Sequence, residues 1–452
     1  MANTASTIFV QHRLWDNTRH VLALAIPVAL AELGWVSMNV VDTIMVGHLG
    51  PSAIGAIAIG GSTFYAFAIF GTGLLLGLDT LIARAFGAGD REDCHHSLVT
   101  AIYLALLLTP VLMLFFNLTP SFFGAIGIDK SVSTLAEDFI RSLSLSTLPL
   151  LLYSAFRRYL QATGHVRPVM FTLVSANLVN WLFNWLLIEG HWGLPASGVK
   201  GSALSTVMAR LYMAAVLAFC IWWFERRSGF PTISIFRKPD WNRLRLLLGL
   251  GLPAATQILL EIGAFGTTAL LAGRLIPTAL AAHQIAINVA SVSFMVPLGI
   301  GSAAAVTVGH SMGRQEPQLA RYHGFIALGI ASVFALCAAG LFLLIPRDIL
   351  QIYTNEGGVL QVGTTLLVIA AAFQLFDAIQ TVATGALRGL GNTRTPMLVN
   401  LGGYWFFGLP VGYVLCFHFG YGIYGLWTGL TLALVMIALL LLYTWNRQSC
   451  EN

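Results

Sequence analysis

Residues 251–273 read GLPAATQILLEIGAFGTTALLAG and carry a single charged residue, Glu261, near the centre. The stretch is long and apolar enough to cross a bilayer as a helix, which needs about 20 residues. A carboxylate at the middle of such a helix costs ~2.5–3.5 kcal/mol on insertion scales, so it normally faces a protein interior and is functional there. The stretch therefore predicts a membrane protein whose function depends on Glu261.

The composition extends this prediction to the whole chain. Of the 452 residues, 57% are hydrophobic and only 10% are charged, which is far from the range of soluble globular proteins. Apolar runs of spanning length recur, and they lack the alternation of polar and apolar residues that a β-barrel requires. We therefore expect an all-α integral membrane protein in a lipid bilayer.

Other classes of protein fit the composition poorly. The five cysteines show no CxxC spacing, so they predict neither a disulfide framework nor a metal cage. The net charge of +5 is not gathered into a basic stripe beside base-stacking aromatic residues, so we expect no nucleic-acid partner. The sequence contains no GxxxxGK[ST], HExxH or GxSxG motif, so it predicts neither an ATPase nor a hydrolase.

Apolar runs bounded by glycine, proline and charged residues predict twelve spans. The first run is too long for a signal peptide and is interpreted as a retained span. Basic residues concentrate in the even-numbered connections, which by the positive-inside rule places those connections and both termini in the cytoplasm. The predicted spans are residues 21–46, 53–77, 97–119, 133–155, 168–188, 198–223, 246–272, 280–304, 323–345, 359–384, 398–418 and 423–445.

The two halves of the chain resemble each other. A shift of about 226 residues pairs Pro27 with Pro253 and Gly47 with Gly273, and similar offsets pair segments further along. We therefore predict two six-helix lobes, at residues 1–224 and 246–452, joined by a cytoplasmic linker at 225–245. Six is an even number, so both lobes enter the membrane in the same sense and a pseudo-twofold axis runs along the membrane normal.

Polar residues line one face of the first predicted span. At 100° per residue, these residues fall within about 80° of one another: Glu32, Trp35, Asn39 and Asp42. Asp42 is either functional or an acid that reaches the membrane interface, and Glu32 is either functional or held protonated or paired. Arg210, the lone deep cation of the first half, either neutralises one of these acids or extends toward the cytoplasm.

The fifth span carries Asn177, Asn180 and Asn184 within about 60° of one face. Three aligned carboxamides can offer oxygens to a small cation or hydrogen bonds to a neighbouring acid. The alternative is that they join helices, at ~0.6–2 kcal/mol per hydrogen bond.

The second half concentrates its polar residues on two helices. Gln257, Glu261, Phe265 and Thr268 share a face of the seventh span, and Gln374, Asp377, Thr381 and Thr384 share a face of the tenth. Glu261 and Asp377 are the only deep acids of this half, with no basic residue at similar depth, so we predict that both are functional. Gln284 and Asn288 in the eighth span are either a polar lining or helix-packing residues.

Three segments resemble the signature segments of the MATE (multidrug and toxic compound extrusion) transporters. They are VDTIMVGHLGPSAIGAIAIG at 41–60, LDTLIARAFGAGD at 78–90 and ALRGLGNTRTPM at 386–397. With Glu261 in the seventh span and Asp377 in the tenth, the chain is most similar to the NorM-like branch. The sequence differs from some members at Asn184, where they carry a second acid, and at Glu32, where we expect an amide.

The resemblance implies a bacterial inner-membrane antiporter that exports cationic or amphipathic organic compounds and is driven by Na⁺ or H⁺, without another cofactor. It implies a first-lobe cation site at Asp42, Asn180 and Asn184, a second-lobe site at Glu261 and Asp377, and Na⁺ as a possible ligand of the three acids. We expect a monomer. The alternative is a flippase for lipid-linked saccharides, which is expected to carry more basic residues in its central cavity; an intramembrane enzyme is disfavoured because no catalytic constellation is present.

Overall fold

The computed structural model describes residues 2–123, 127, 129–227 and 240–451, with side chains described from residue 15 onward except those of Phe122 and Glu451. Residues 228–239 of the predicted linker lie outside the described residues. The described chain is helical apart from short connections. Its helices are α1 (Ala2–Gly47), α2 (Pro51–Leu74), α3 (Gly77–Gly87), α4 (Arg91–Leu118), α5 (Lys130–Ser144), α6 (Thr147–Ala162), α7 (Val166–Ile188), α8 (Gly198–Arg227), α9 (Trp241–Ala272), α10 (Pro277–Gly313), α11 (Pro317–Leu344), α12 (Pro346–Gln351), α13 (Gly357–Gly389), α14 (Arg394–Asn400), α15 (Leu409–Tyr413) and α16 (Ile423–Glu451).

The all-α membrane fold is confirmed, with eleven to twelve candidate spans in the described chain. Eleven helical segments of the described chain are long and apolar enough to cross a membrane. The helix pair α5 and α6, bent by 49° at its break, is long and apolar enough together to count as a twelfth candidate span. The eleventh span, Arg394–His418, includes π-helical turns at Leu401–Gly408 and Val414–His418, next to α14 and α15.

The helices extend further than the apolar runs predict. Arg157 and Arg158, assigned to a connection from the sequence, lie inside α6 and are largely buried. Arg157 forms an ion pair with Glu32, and Arg158 pairs with Asp79 at 3.2 Å. A paired guanidinium can enter an apolar layer at much lower cost than an isolated one, and hydropathy alone does not detect such pairs.

The chain forms two compact units. The N-terminal unit comprises residues 30–86 and 90–255, and the C-terminal unit comprises residues 1–29, 87–89 and 256–452. The division falls two residues after Pro27 in α1 and two residues after Pro253 in α9. A proline inside a helix removes one backbone hydrogen bond, so both divisions coincide with a weak point of the helix.

In the N-terminal unit, α8 packs against α5, α6 and α7. Gly201 of α8 allows a close approach to α7, because a Cβ at this position would lie 2.6 Å from the carbonyl carbon of Leu187. Small residues at helix contacts are typical of membrane proteins, where close packing replaces the hydrophobic effect between helices.

In the C-terminal unit, α10, α11 and α16 pack around α13. Helices α10 and α13 meet at Gly301 and Gly385, where a Cβ on Gly385 would lie 2.7 Å from the carbonyl carbon of Gly301. One turn further, a Cβ on Gly389 would lie 2.7 Å from the carbonyl oxygen of Ala305. This backbone contact fixes the position of α13, which carries Asp377.

Candidate ion and substrate site

A cavity of about 190 Å³ in the C-terminal unit contains both deep acids of the second half. We call it the Glu261–Asp377 cavity. Helix α9 contributes Glu261 and Phe265, and α13 contributes Phe373 and Asp377. The rest of the lining comes from α10: Ile287, Ala290, Ser291 and Phe294.

The two carboxylates of this cavity have no described positive charge to balance them. No Lys, Arg or His is among the described residues that line it. Asp377 is 5% exposed, and its Oδ1 has no hydrogen-bond partner in the described chain. Two carboxylates in an apolar cavity repel each other, and a cation or a proton relieves the repulsion. The arrangement is therefore suited to binding a small positive species.

A hydrogen-bonded group of residues lies next to the aromatic side of the cavity. The Phe265 ring lies 6.0 Å from the ring of Tyr404, which is in a π-helical turn. The Tyr404 hydroxyl donates to Gln380 at 3.2 Å, and the Gln380 amide donates to Asn400 at 3.3 Å. Trp405 donates to the carbonyl of Leu260 at 3.0 Å and so joins this turn to α9 beside Glu261.

The other predicted residues of the second half surround the cavity without lining it. Gln257 is buried one turn before Glu261. Gln284 and Asn288 are exposed on α10, where Asn288 donates to the Gln284 carbonyl at 2.9 Å. Thr381 packs against α10 at Gly301. The structure thus joins Glu261, Phe265 and Asp377 in one cavity and places these four residues outside it.

The N-terminal unit holds a second polar group, the Asp42 cluster, formed by Asp42, Asn180, Asn184, Ser205 and Thr206. Asn184 Nδ2 donates to Asp42 Oδ1 at 2.6 Å and lies 3.2 Å from Asn180 Oδ1. Ser205 donates to Asn184 Oδ1 at 2.6 Å, and Thr206 Oγ1 lies 3.3 Å from Asp42 Oδ2. The cluster contains the three residues that the family resemblance assigned to a first-lobe cation site, and all five of its residues are buried.

The remaining candidates of the first half lie apart from this cluster. Glu32 forms its ion pair with Arg157. Asn177 donates to the carbonyls of Gly34 at 3.0 Å and Leu173 at 2.9 Å, which joins α7 to α1. Asn39 is exposed and accepts a hydrogen bond from Tyr65 at 3.2 Å.

Arg210 is buried, with 2% of its surface exposed. It donates to Ser146 at 2.6 Å, and its guanidinium lies over the rings of Phe64, at 4.8 Å, and Trp35, at 5.8 Å. Its guanidinium is therefore held inside the N-terminal unit rather than at the surface of that unit. It also does not pair with Glu32, whose partner is Arg157.

Two members of the Asp42 cluster were missed in the sequence. Ser205 and Thr206 lie in GSALSTVMARL at residues 201–211, where small and hydroxyl residues are too common in membrane helices to indicate a site. The usable signal was the spacing of Ser202, Thr206 and Arg210, which places these three on one face of α8.

Comparison with known proteins connects this arrangement to a family. The MatE family model matches residues 27–186 and 253–414, one stretch in each half. A protein from Bradyrhizobium diazoefficiens named "Probable multidrug resistance protein NorM" is 35% identical over 95% of this chain and 93% of its own length. "Multidrug resistance protein NorM" from Burkholderia vietnamiensis is also 35% identical, over 94% and 92%.

Solved structures agree in fold. A eukaryotic MATE transporter superposes with a TM-score of 0.87 over 97% of this chain and 98% of its own, at 23% identity. A MATE structure in complex with MaD3S superposes with a TM-score of 0.88 over 96% of both chains, at 18% identity.

The apolar helices, the full-length match to NorM proteins and the family match in both halves define a multi-pass membrane transporter rather than an enzyme. The chain belongs to the MatE family, as a NorM-like MATE transporter. The resemblance inferred from the three signature segments is thereby confirmed.

Proposed function

We propose that the protein is a multidrug antiporter that exports cationic or amphipathic organic compounds by alternating access, in exchange for Na⁺ or H⁺. The observation that carries this proposal is the Glu261–Asp377 cavity, in which two acids face a space lined by three phenylalanines. The names of the bacterial relatives support drug export as the function.

The size of the cavity suggests how it is used. Sites for drug-sized ligands are usually about 300–1,000 Å³, whereas this cavity measures about 190 Å³. It can hold a small hydrated cation, or the charged end of a larger organic cation whose aromatic part contacts Phe265 and Phe294.

Exchange follows if the coupling ion and the drug compete for the same carboxylates. A drug cation that neutralises Glu261 or Asp377 lowers the affinity of these carboxylates for the coupling ion, so the ion dissociates. When the drug is released, the carboxylates can bind the next ion. One charge that crosses the membrane gains ~2.3 kcal/mol per 100 mV, and one pH unit adds ~1.4 kcal/mol. Together they can drive accumulation well above tenfold.

We further propose that the protein works as a monomer in a bacterial inner membrane with both termini in the cytoplasm. The alternation of basic connections along the sequence supports this orientation. A flippase for lipid-linked saccharides is disfavoured, because a phosphate-bearing substrate needs basic groups and the described lining of the cavity is acidic.

The test is transport by the purified protein in liposomes loaded with a fluorescent organic cation. A Na⁺ gradient, a pH gradient and a membrane potential are imposed separately, and dye movement against its own gradient is recorded. We expect either the Na⁺ or the pH gradient to drive exchange, and the dye to drive ion movement in return. Dye movement that follows only the membrane potential, without ion exchange, would refute antiport.

A further inference from the structure

Arg210 is a buried cation that the proposed transport cycle does not use. No carboxylate of a described residue lies within ion-pairing distance of its guanidinium, and Nε has no hydrogen-bond partner in the described chain. Burying a guanidinium without a carboxylate partner is costly, and two aromatic faces, one serine and the Tyr65 hydroxyl compensate only part of that cost. The presence of Arg210 therefore calls for an explanation beyond packing.

The position of Arg210 relates it to the Asp42 cluster. Thr206, which lies 3.3 Å from Asp42 Oδ2, is one helical turn before Arg210 on the same face of α8. Trp35, under the guanidinium, is two turns before Asp42 on the same face of α1. Arg210 is thus held by the same two helices that hold Asp42, α1 and α8.

The other charges near this cluster are already balanced. Glu32 is paired with Arg157, and the aromatic neighbours of Trp35 are Tyr65 and Tyr153, whose hydroxyls serve as hydrogen-bonding groups. Asp42 and Arg210 therefore form a locally neutral set. Adding a metal cation would leave a net positive charge in a buried, low-dielectric region, which is unfavourable.

The donor geometry leads to the same conclusion. A hard cation needs several carboxylate, amide or hydroxyl oxygens. Asn184 directs its amide N–H toward Asp42, and its own oxygen already accepts from Ser205. A cation could bind Asp42 only after this network rearranged, whereas the Asp377 Oδ1 atom in the other unit has no such partner.

We infer that Arg210 acts as a fixed internal cation that keeps Na⁺ off Asp42, and is therefore a determinant of ion selectivity in this protein. The inference rests on the proposed coupling to a small cation. It specifies that Na⁺ does not bind at the Asp42 cluster. The Asp42 cluster is a cation-excluding group, in contrast to the Glu261–Asp377 cavity.

The test measures Na⁺ binding to the purified full chain by isothermal titration calorimetry at constant ionic strength, without drug. R210Q removes the charge and keeps a donor for Ser146, and R210K keeps the charge. We expect R210Q to bind Na⁺ at least tenfold more tightly than the wild type does. The double variant D42N/R210Q should lose this gain, which would place the new Na⁺ site at Asp42. R210K should show no such gain.

Two results would overturn the inference. One is loss of wild-type Na⁺ binding in D42N, and the other is a folded R210Q that gains no Na⁺ affinity. If R210Q does not fold, as judged by its elution profile and thermal unfolding, Na⁺ binding by D42N and by the wild type is compared instead. Equal binding supports the inference, and weaker binding by D42N overturns it. Binding is measured at equilibrium, so a failure of drug exchange in liposomes would refute the proposed function without changing this result.

Discussion

Glu261 and Asp377 line a cavity whose described residues include no positive charge, whereas three other acids of the described chain each have an ionic partner. Glu32 has Arg157, Asp79 has Arg158, and Glu225 contacts His95 at 2.7 Å. If the cavity acids bind the coupling ion, E261Q and D377N should each lower ion-driven dye efflux by about tenfold or more, equivalent to ~1.4 kcal/mol. The loss is measured as the rate of dye transport in everted membrane vesicles, normalised to the amount of transporter protein.

The matched control for these variants is Q284A. Gln284, predicted as either a polar lining or a helix-packing residue, is exposed on α10 and is not among the residues that line the cavity. Efflux in Q284A should stay close to wild type. Normal efflux in both E261Q and D377N would remove the cavity from the mechanism.

The Glu32–Arg157 ion pair gives a residue-level prediction about stability. R157M leaves the Glu32 carboxylate buried without its partner, and breaking one side of a buried pair typically costs ~3–5 kcal/mol. The double variant E32Q/R157M removes both charges and should recover most of that loss. Thermal unfolding of the purified variants measures both effects; an R157M variant as stable as wild type would show that the pair contributes nothing.

Among the helices, the contact between α10 and α13 depends on glycine. In G385V, the new Cβ would meet the backbone of Gly301, which cannot move aside as a flexible side chain can. We expect a loss of at least about 3 kcal/mol in stability, at the upper end of overpacking effects. G329V is the matched control, because a Cβ on exposed Gly329 in α11 meets nothing within 4 Å and its unfolding temperature should be nearly unchanged.

At this scale the sequence predicts more of the fold than of the site. Apolar length determines the spans, so all twelve could be located. The break between α5 and α6 and the π-helical turns around Tyr404 depend on packing between helices, and no local composition marks them. The helical face rule puts Glu261 and Phe265 on one side of α9, and both line the cavity. The rule does not tell which face of α10 meets them; that face carries Ile287 and Ser291, whereas Gln284 is exposed.

In the whole molecule, the repeat in the sequence and the compact units follow different divisions. The repeat divides the chain in the linker, whereas the units divide inside α1 and α9, just after Pro27 and Pro253. The two prolines can be recognised in the sequence. The contacts that place the two ends of α1 and of α9 in different units cannot be predicted from it. Those contacts are long-range: His323 meets Asn17 at 3.3 Å in the C-terminal unit, and Arg243 meets Ser97 at 2.9 Å in the N-terminal unit.

This division predicts how the chain behaves when it is cut. Residues 1–232 alone lack the start of α9, where Leu247 and Ala255 pack against α2 and α3, and residues 233–452 alone lack residues 1–29, where Ala29 meets Gly299. Neither fragment contains a complete unit, so each should aggregate or be degraded when expressed alone. Co-expressed fragments should copurify through an affinity tag on one of them and restore dye efflux, since the cut falls outside the described helices. A single fragment that purifies as a monodisperse species with a cooperative thermal transition would show that the shared helices are not required for either unit to fold.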